Sequence, residues 1–260
     1  MIISDTWDWL TDGSNWSGPD GIGHRIFEHL WYSGLTLLIA ALIAIPLGSW
    51  IAHTGKGKWL VSLANSLRAV PSLGLLFAAS MWLTPKFKGD SDTGYLVPAI
   101  AVLVILAIPA LLAGAYSGVS EVDPAARDAA KGMGMSGTEV FTKVELPCAL
   151  PLMFSGLRSA TLQVIATATI AAFVGLDALG AFLRDGLASS VYPEMIGGSI
   201  LVAGLALVAD LILALIQRSV VSPGLTGKAA RARRRARSAG TEHAAELAIR
   251  GAVPGGGGGG

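Results

Sequence analysis

Residues Glu121-Val-Asp-Pro-Ala-Ala-Arg-Asp-Ala-Ala-Lys-Gly-Met-Gly-Met-Ser-Gly-Thr-Glu-Val-Phe-Thr-Lys-Val-Glu-Leu-Pro147 connect two long apolar runs. Asp123 is a good N-cap and Pro124 a good first helical residue, so a helix is predicted from Pro124 to about Gly132. Gly132, Gly134 and Gly137 end it. Ser136 with Glu139 three residues on is a capping-box signature for a second short helix. The segment thus reads as helix, glycine turn and helix, closing on Leu146-Pro147. Ala129 and Ala130 put no bulk between this helix and a neighbour. A short helix of this kind, held parallel to a membrane, fits a groove of a soluble partner and passes on a push. A plain surface loop is the other reading of the same residues.

The flanking runs belong to a set of five predicted spans: about Trp31 to Ala52, Trp59 to Leu83, Gly94 to Gly118, Pro147 to Val174, and Met195 to Gln217. Each offers enough apolar residues to cross a hydrocarbon layer of about 30 Å as a helix. Helices are required because lipid leaves backbone polar groups unsatisfied. Composition agrees: 52% of the 260 residues are hydrophobic and 14% charged, against about 25% charged in soluble domains. The expected class is an all-α polytopic membrane protein. A net charge of +1 gives no reason to expect a nucleic-acid partner. Cys148 is the single cysteine, so no intrachain disulfide forms, and it reads as a small packed hydrophobe. No cleavable leader is expected, since the first ten residues carry no basic residue or long apolar run.

Lysine and arginine set the expected orientation. Thirteen lie after the fifth span or in the loops 53–58 and 119–146, and four lie on the other side. The positive-inside rule then places the N-terminus outside and the C-terminus in the cytoplasm. Trp31 and Trp82 fall at outer ends of spans, Trp50 and Trp59 at inner ends, as an aromatic belt would. Residues 1–30, with Trp7, Trp9 and Trp16, are expected to lie on the outer membrane surface. Residues 31–218 are expected to form the membrane domain. Residues 219–260 read as a basic, glycine-rich disordered tail, whose Arg231 to Arg237 run would touch anionic lipid.

The spacing in the 119–147 loop resembles permeases of ATP-driven (ABC) importers. That family carries Glu-Ala-Ala, three residues, Gly, nine residues, Ile, one residue, Leu-Pro. Here Asp128-Ala129-Ala130, Gly134, Val144 and Leu146-Pro147 stand at those positions, with Asp for Glu and Val for Ile. The resemblance implies a five-helix type I importer transmembrane domain, with Asp128, Ala129, Ala130 and Gly134 facing an ATPase subunit. It implies no chemistry on this chain and no cofactor of its own, ATP being held by that partner. Further implied partners are an extracellular or periplasmic substrate-binding protein and a second permease chain, identical or related, in a bacterial inner or plasma membrane. Asn65-Ser-Leu-Arg-Ala-Val-Pro-Ser-Leu-Gly74, Gly132-Met-Gly-Met135, Gly156 to Thr169 and Tyr192-Pro193 are similar to the osmoprotectant subfamily, which carries glycine betaine, choline or carnitine. Methionine or a sulfonate is the alternative cargo. A secondary transporter is the rival class, against which no internal repeat is evident. Enzyme motifs of the metallopeptidase, hydrolase and nucleotide-binding kinds are absent from the sequence, and His24, His29, His53 and His243 offer no local metal set.

Arg68, Arg158 and Asp210 fall inside spans at similar depth. An unpaired charge there costs about 2.5–3.5 kcal/mol, so Asp210 is expected to pair with Arg68 or Arg158. Such groups are read either as helix locks or as part of a translocation path. Gln163 and Thr167, four apart on one helix face, are read as path lining or as helix glue. Few aromatic residues lie in the spans, and Phe77, Phe154, Phe173 and Tyr116 are scattered in sequence. Tight cation selection is therefore expected on the binding protein.

Overall fold

The computed structural model describes residues 2–87 and 93–221, and among these every regular element is helical. Lys88 and the basic tail from residue 222 lie outside the described residues. The helices are α1 (Ile2–Thr11), α2 (Ile22–Thr54), α3 (Lys58–Ser66), α4 (Ser72–Leu83), α5 (Thr93–Ser120), α6 (Pro124–Gly132), α7 (Gly137–Val140), α8 (Leu146–Ala171), α9 (Gly180–Ser189) and α10 (Tyr192–Val220). Four runs containing α2, α5, α8 and α10 are each long and apolar enough to cross a membrane.

The candidate fifth crossing is a pair of helices bent at a break. Residues 58–69 and 72–86, which make up the expected span from about Trp59 to Leu83, meet at 94°. Pro71 is the cause. It has no N–H to donate, and its ring pushes Val70 out of the helical region, to φ −74° and ψ 128°. The first span differs from expectation, because its helix starts at Ile22 rather than near Trp31. Two polar residues before Trp31, Arg25 and His29, find partners within the fold. Arg25 donates from Nε to the Asp20 carbonyl at 3.1 Å and from Nη2 to the Asp20 carboxylate at 3.2 Å. His29 is fully buried, with Nε2 3.1 Å from the Ile165 carbonyl oxygen.

The core gathers on α5, which is flanked by α2, α4 and α8 and carries buried Leu103, Leu106, Leu111 and Leu112. Where α5 crosses α8, the backbones touch. A Cβ on Gly114 would lie 2.8 Å from the Gly156 Cα, so only glycine fits on both sides. Small residues serve this purpose in membranes, where packing replaces the hydrophobic drive between helices. By contrast, no residue in the apolar stretch of α10 is buried. Its ties to α8 are polar: a pair between Arg158 and Asp210, and Gln217 donating to the Pro151 carbonyl at 3.3 Å.

At the end of the bundle that carries α1, Trp9 packs edge-on against Phe182 with ring centroids 5.2 Å apart. Its ring occupies the space a Cβ on Gly197 would need. Trp9 is therefore a packing anchor, whereas Trp7 and Trp16 stay exposed. On the same end Arg184 reaches Asp185 at 2.8 Å, Asp177 at 3.1 Å and the Ala172 carbonyl at 2.9 Å. Its hydrogen bond to the Asp185 carboxylate, helped by the charges of Asp185 and Asp177, holds its pKa above the ordinary arginine value.

Candidate functional site

The 121–147 segment forms α6, a turn, and α7, with the bounds of α6 as expected. The Asp123 carboxylate accepts from the Ala125 N–H at 2.9 Å, capping α6. At the other end Gly134 sits at φ +86°, the left-handed region. Its N–H bonds the Lys131 carbonyl at 2.9 Å, and the Met135 N–H bonds the Ala130 carbonyl at 3.2 Å. These two bonds make a Schellman close, and they explain why the glycine of the spacing pattern stands four residues after Ala130. The Ser136–Glu139 capping box is present: the Ser136 N–H donates to the Glu139 carboxylate at 3.0 Å, and Glu139 N–H returns to the Ser136 hydroxyl at 3.4 Å.

Burial sorts the residues of the pattern. Asp128 and Ala129, on the outer side of α6, and Gly134, in the turn after it, are exposed. Ala130 is 1% exposed and faces the body of the chain, against the expectation that it faces a partner. A helix lying on a surface must turn one face inward, and the residue next to Ala129 is a full 100° further round. Val144, Leu146 and Pro147 are half-buried where α7 runs into α8 through a wide π turn over Phe141–Glu145.

That π turn places Glu145, which is 3% exposed, under the loop. Its carboxylate accepts from His53 Nδ1 at 2.6 Å and pairs with Arg127 Nε at 2.9 Å. Arg127 also donates from Nη2 to the Val119 carbonyl at the end of α5. One buried carboxylate thus ties α6, through Arg127, to the ends of α2 and α5 and the start of α8. Sequence reasoning passed over Glu145 and His53. Their only signal was an acid amid apolar residues directly before Leu146-Pro147.

Deeper in the bundle, Arg158 and Asp210 form a bidentate pair with both contacts at 2.7 Å. Arg68 is not part of it. It is exposed at the bend between α3 and α4, beside exposed Asn65 and Ser66. Gln163 donates to the Leu106 carbonyl of α5 at 2.9 Å, and the buried Thr167 hydroxyl donates to the Gln163 carbonyl at 2.7 Å. Both groups are spent on helix contacts. Three aromatic residues that are far apart in sequence, Phe77, Tyr95 and Phe173, line one cavity of about 550 Å³ together with Ser80 and Thr84.

Residues 44–222 match the family described as binding-protein-dependent transport system inner membrane component. The chain is 32% identical over 206 residues to the glycine betaine/carnitine/choline transport system permease protein OpuCB of Bacillus subtilis, covering 78% of this chain and 90% of that one. It is 31% identical over 204 residues to the choline transport system permease protein OpuBB of the same organism, covering 78% and 89%. To the osmoprotectant import permease protein OsmW of Salmonella typhimurium it is 29% identical over 203 residues, covering 76% and 91%. A chain from the inward-facing methionine ABC transporter MetNI superposes with a TM-score of 0.66 at 20% identity, over 77% of this chain and 96% of that one, a likeness of fold.

Proposed function

Because this chain belongs to the family of binding-protein-dependent transport system inner-membrane components, we propose that it imports an osmoprotectant quaternary amine of the glycine betaine, choline or carnitine kind. It works as the membrane-spanning subunit of an ABC importer, with ATP hydrolysis on a separate subunit. The observation that supports this most is α6: a capped nine-residue helix whose Ala129 edge is bare and whose inner edge is pinned by Glu145.

In this reading α6 docks on the ATPase through Asp128, Ala129 and Gly134. The end bearing α6 is cytoplasmic and the end bearing α1 faces outward, where a substrate-binding protein delivers cargo. A second permease chain, identical or related, completes the pore. ATP binding draws the ATPases together, α6 moves, and the Glu145 contacts carry the motion to α2, α5 and α8. The spans then open to the other side. Arg68 marks the path, while Arg158, Asp210, Gln163 and Thr167 hold its walls in register.

The deciding experiment is ATP hydrolysis by this chain co-purified with its ATPase and reconstituted with a binding protein loaded with glycine betaine. Stimulated hydrolysis in the native complex, lost in Ala129→Trp, supports docking and cargo together. Binding of the ATPase without stimulation by glycine betaine, choline or carnitine keeps the importer and rejects the cargo, and methionine is then the next ligand to test. No association with any ATPase ends this reading.

A further inference from the structure

Arg68 has no hydrogen bond or ion pair among the described residues, and it is exposed. Its depth follows from α4. The twelve residues of α4 rise about 18 Å, less than a hydrocarbon layer of about 30 Å. The far end of α4 is fixed at one interface by Trp82, with the Lys86 ammonium 3.3 Å from its ring centre. The bend carrying Arg68 therefore lies inside the layer. Ser62, Asn65 and Ser66 are exposed on the same stretch of backbone. Lipid cannot solvate such a face, and an unpaired guanidinium at this depth has to face water or a polar ligand.

We propose that Arg68 lines the cargo path and takes the carboxylate of a zwitterionic cargo, so that the permease itself favours glycine betaine and carnitine over choline. The proposal rests on the importer reading above. A guanidinium offers two parallel donors that match a carboxylate, which choline lacks. The same positive charge repels a bare cation at close range. A separate stop on the path, suited to the ammonium group, lies further along the broken span. Among the described residues, no charged side chain lines the cavity of Phe77, Tyr95 and Phe173, and it suits a weakly hydrated quaternary ammonium held on ring faces.

The test uses the complete transporter with its native binding protein, so that selection upstream stays constant. Uptake of glycine betaine, carnitine and choline is measured for native protein, Arg68→Gln and Arg68→Lys. Arg68→Gln is expected to cut uptake of the two carboxylates about ten- to a hundredfold, the worth of one charge-assisted pair, while choline uptake holds or rises. Arg68→Lys, which keeps the charge and loses the fork, should fall between. In parallel, Arg68→Cys in a Cys148→Ser background is exposed to a membrane-impermeant thiol reagent. Labelling in the assembled transporter, slowed by cargo, supports the proposal even where Arg68→Gln assembles poorly. Equal loss for all three cargoes overturns it. So does an unreactive Arg68→Cys, which would mean that the second permease chain covers this position. If native protein moves none of the three while the cysteine labels, the cargo reading itself fails, and this proposal with it.

Discussion

Arg158 Nε and Nη2 donate to the two carboxylate oxygens of Asp210, each at 2.7 Å, and so fasten α10 to α8. No residue in the apolar stretch of α10 is fully buried, although Leu201, Val202 and Leu205 pack in part against Ile22, Leu179 and Phe182, so this pair carries much of the attachment to α8. Asp210→Asn or Arg158→Gln alone leaves an opposite charge stranded in an apolar layer. Each single change is expected to lower thermal survival in detergent more than the double Arg158→Leu/Asp210→Leu does. Gel-filtration profiles after heating give the order. Singles that survive like the native protein would show that the pair is not what holds α10.

Glu145 is the least exposed charged group under the loop, and its carboxylate contacts both His53 and Arg127. Removing a buried charge from such a set strands its partners, at a cost of about 3–5 kcal/mol. Glu145→Ala is expected to reach that range, and His53→Ala to cost less, because His53 is about a third exposed. In a double-mutant cycle the two losses should not add, since both remove one contact. Denaturant titration in detergent reads this out. Additive losses would mean that the 2.6 Å contact contributes nothing.

Neighbouring alanines on α6 should behave differently. Ala129 is exposed and Ala130 is buried. Ala129→Trp is expected to leave folding intact and to reduce ATPase association at least about tenfold, a loss of about 1.4 kcal/mol. Ala130→Trp overpacks the loop against the bundle, at about 1–3 kcal/mol of stability. Co-purification yield and melting temperature, measured together, separate the two effects.

Two glycines only two positions apart make a further contrast. Gly134 adopts φ +86°, while Gly132 lies within α6 with open space at its Cβ position. Gly134→Ala should cost about 1–2 kcal/mol, because an L side chain resists the left-handed region. Gly132→Ala should be neutral or stabilise by about 0.4–1 kcal/mol through the unfolded chain. Equal effects from both would contradict the Schellman close.

How much of this was legible in the sequence depended on range. Asp123, Pro124 and the Ser136–Glu139 box act within a few residues, so α6 and its caps were readable to the residue. The break at Pro71 was visible as a proline, but its 94° angle depends on how both halves meet α5. Residues 22–30 precede the expected first span and carry His24, Arg25, Glu28 and His29, which lipid disfavours. They belong to the helix because Asp20 and the Ile165 carbonyl answer Arg25 and His29. The Glu145 cluster was invisible, since His53 lies 92 residues from its partner. The choice of Arg158 over Arg68 for Asp210 likewise needed the rotation of α8 and α10 about their axes. The aromatic cavity joins Phe77, Tyr95 and Phe173 from three elements, and no periodicity links them.

The π turn at Phe141–Glu145 leaves no gap between α7 and α8, so winding continues from Gly137 to Val174 over 38 residues. At 1.5 Å per residue that is a rod about 57 Å long, of which an apolar layer of about 30 Å holds little more than half. Unbroken winding of this kind can pass a displacement at one end to the other. A tilt of about 10° about its midpoint carries each tip about 5 Å, in opposite directions, by the same rise per residue. Gly137, beside the α6 turn, and Val174, next to the aromatic cavity, ride on the two tips of one lever.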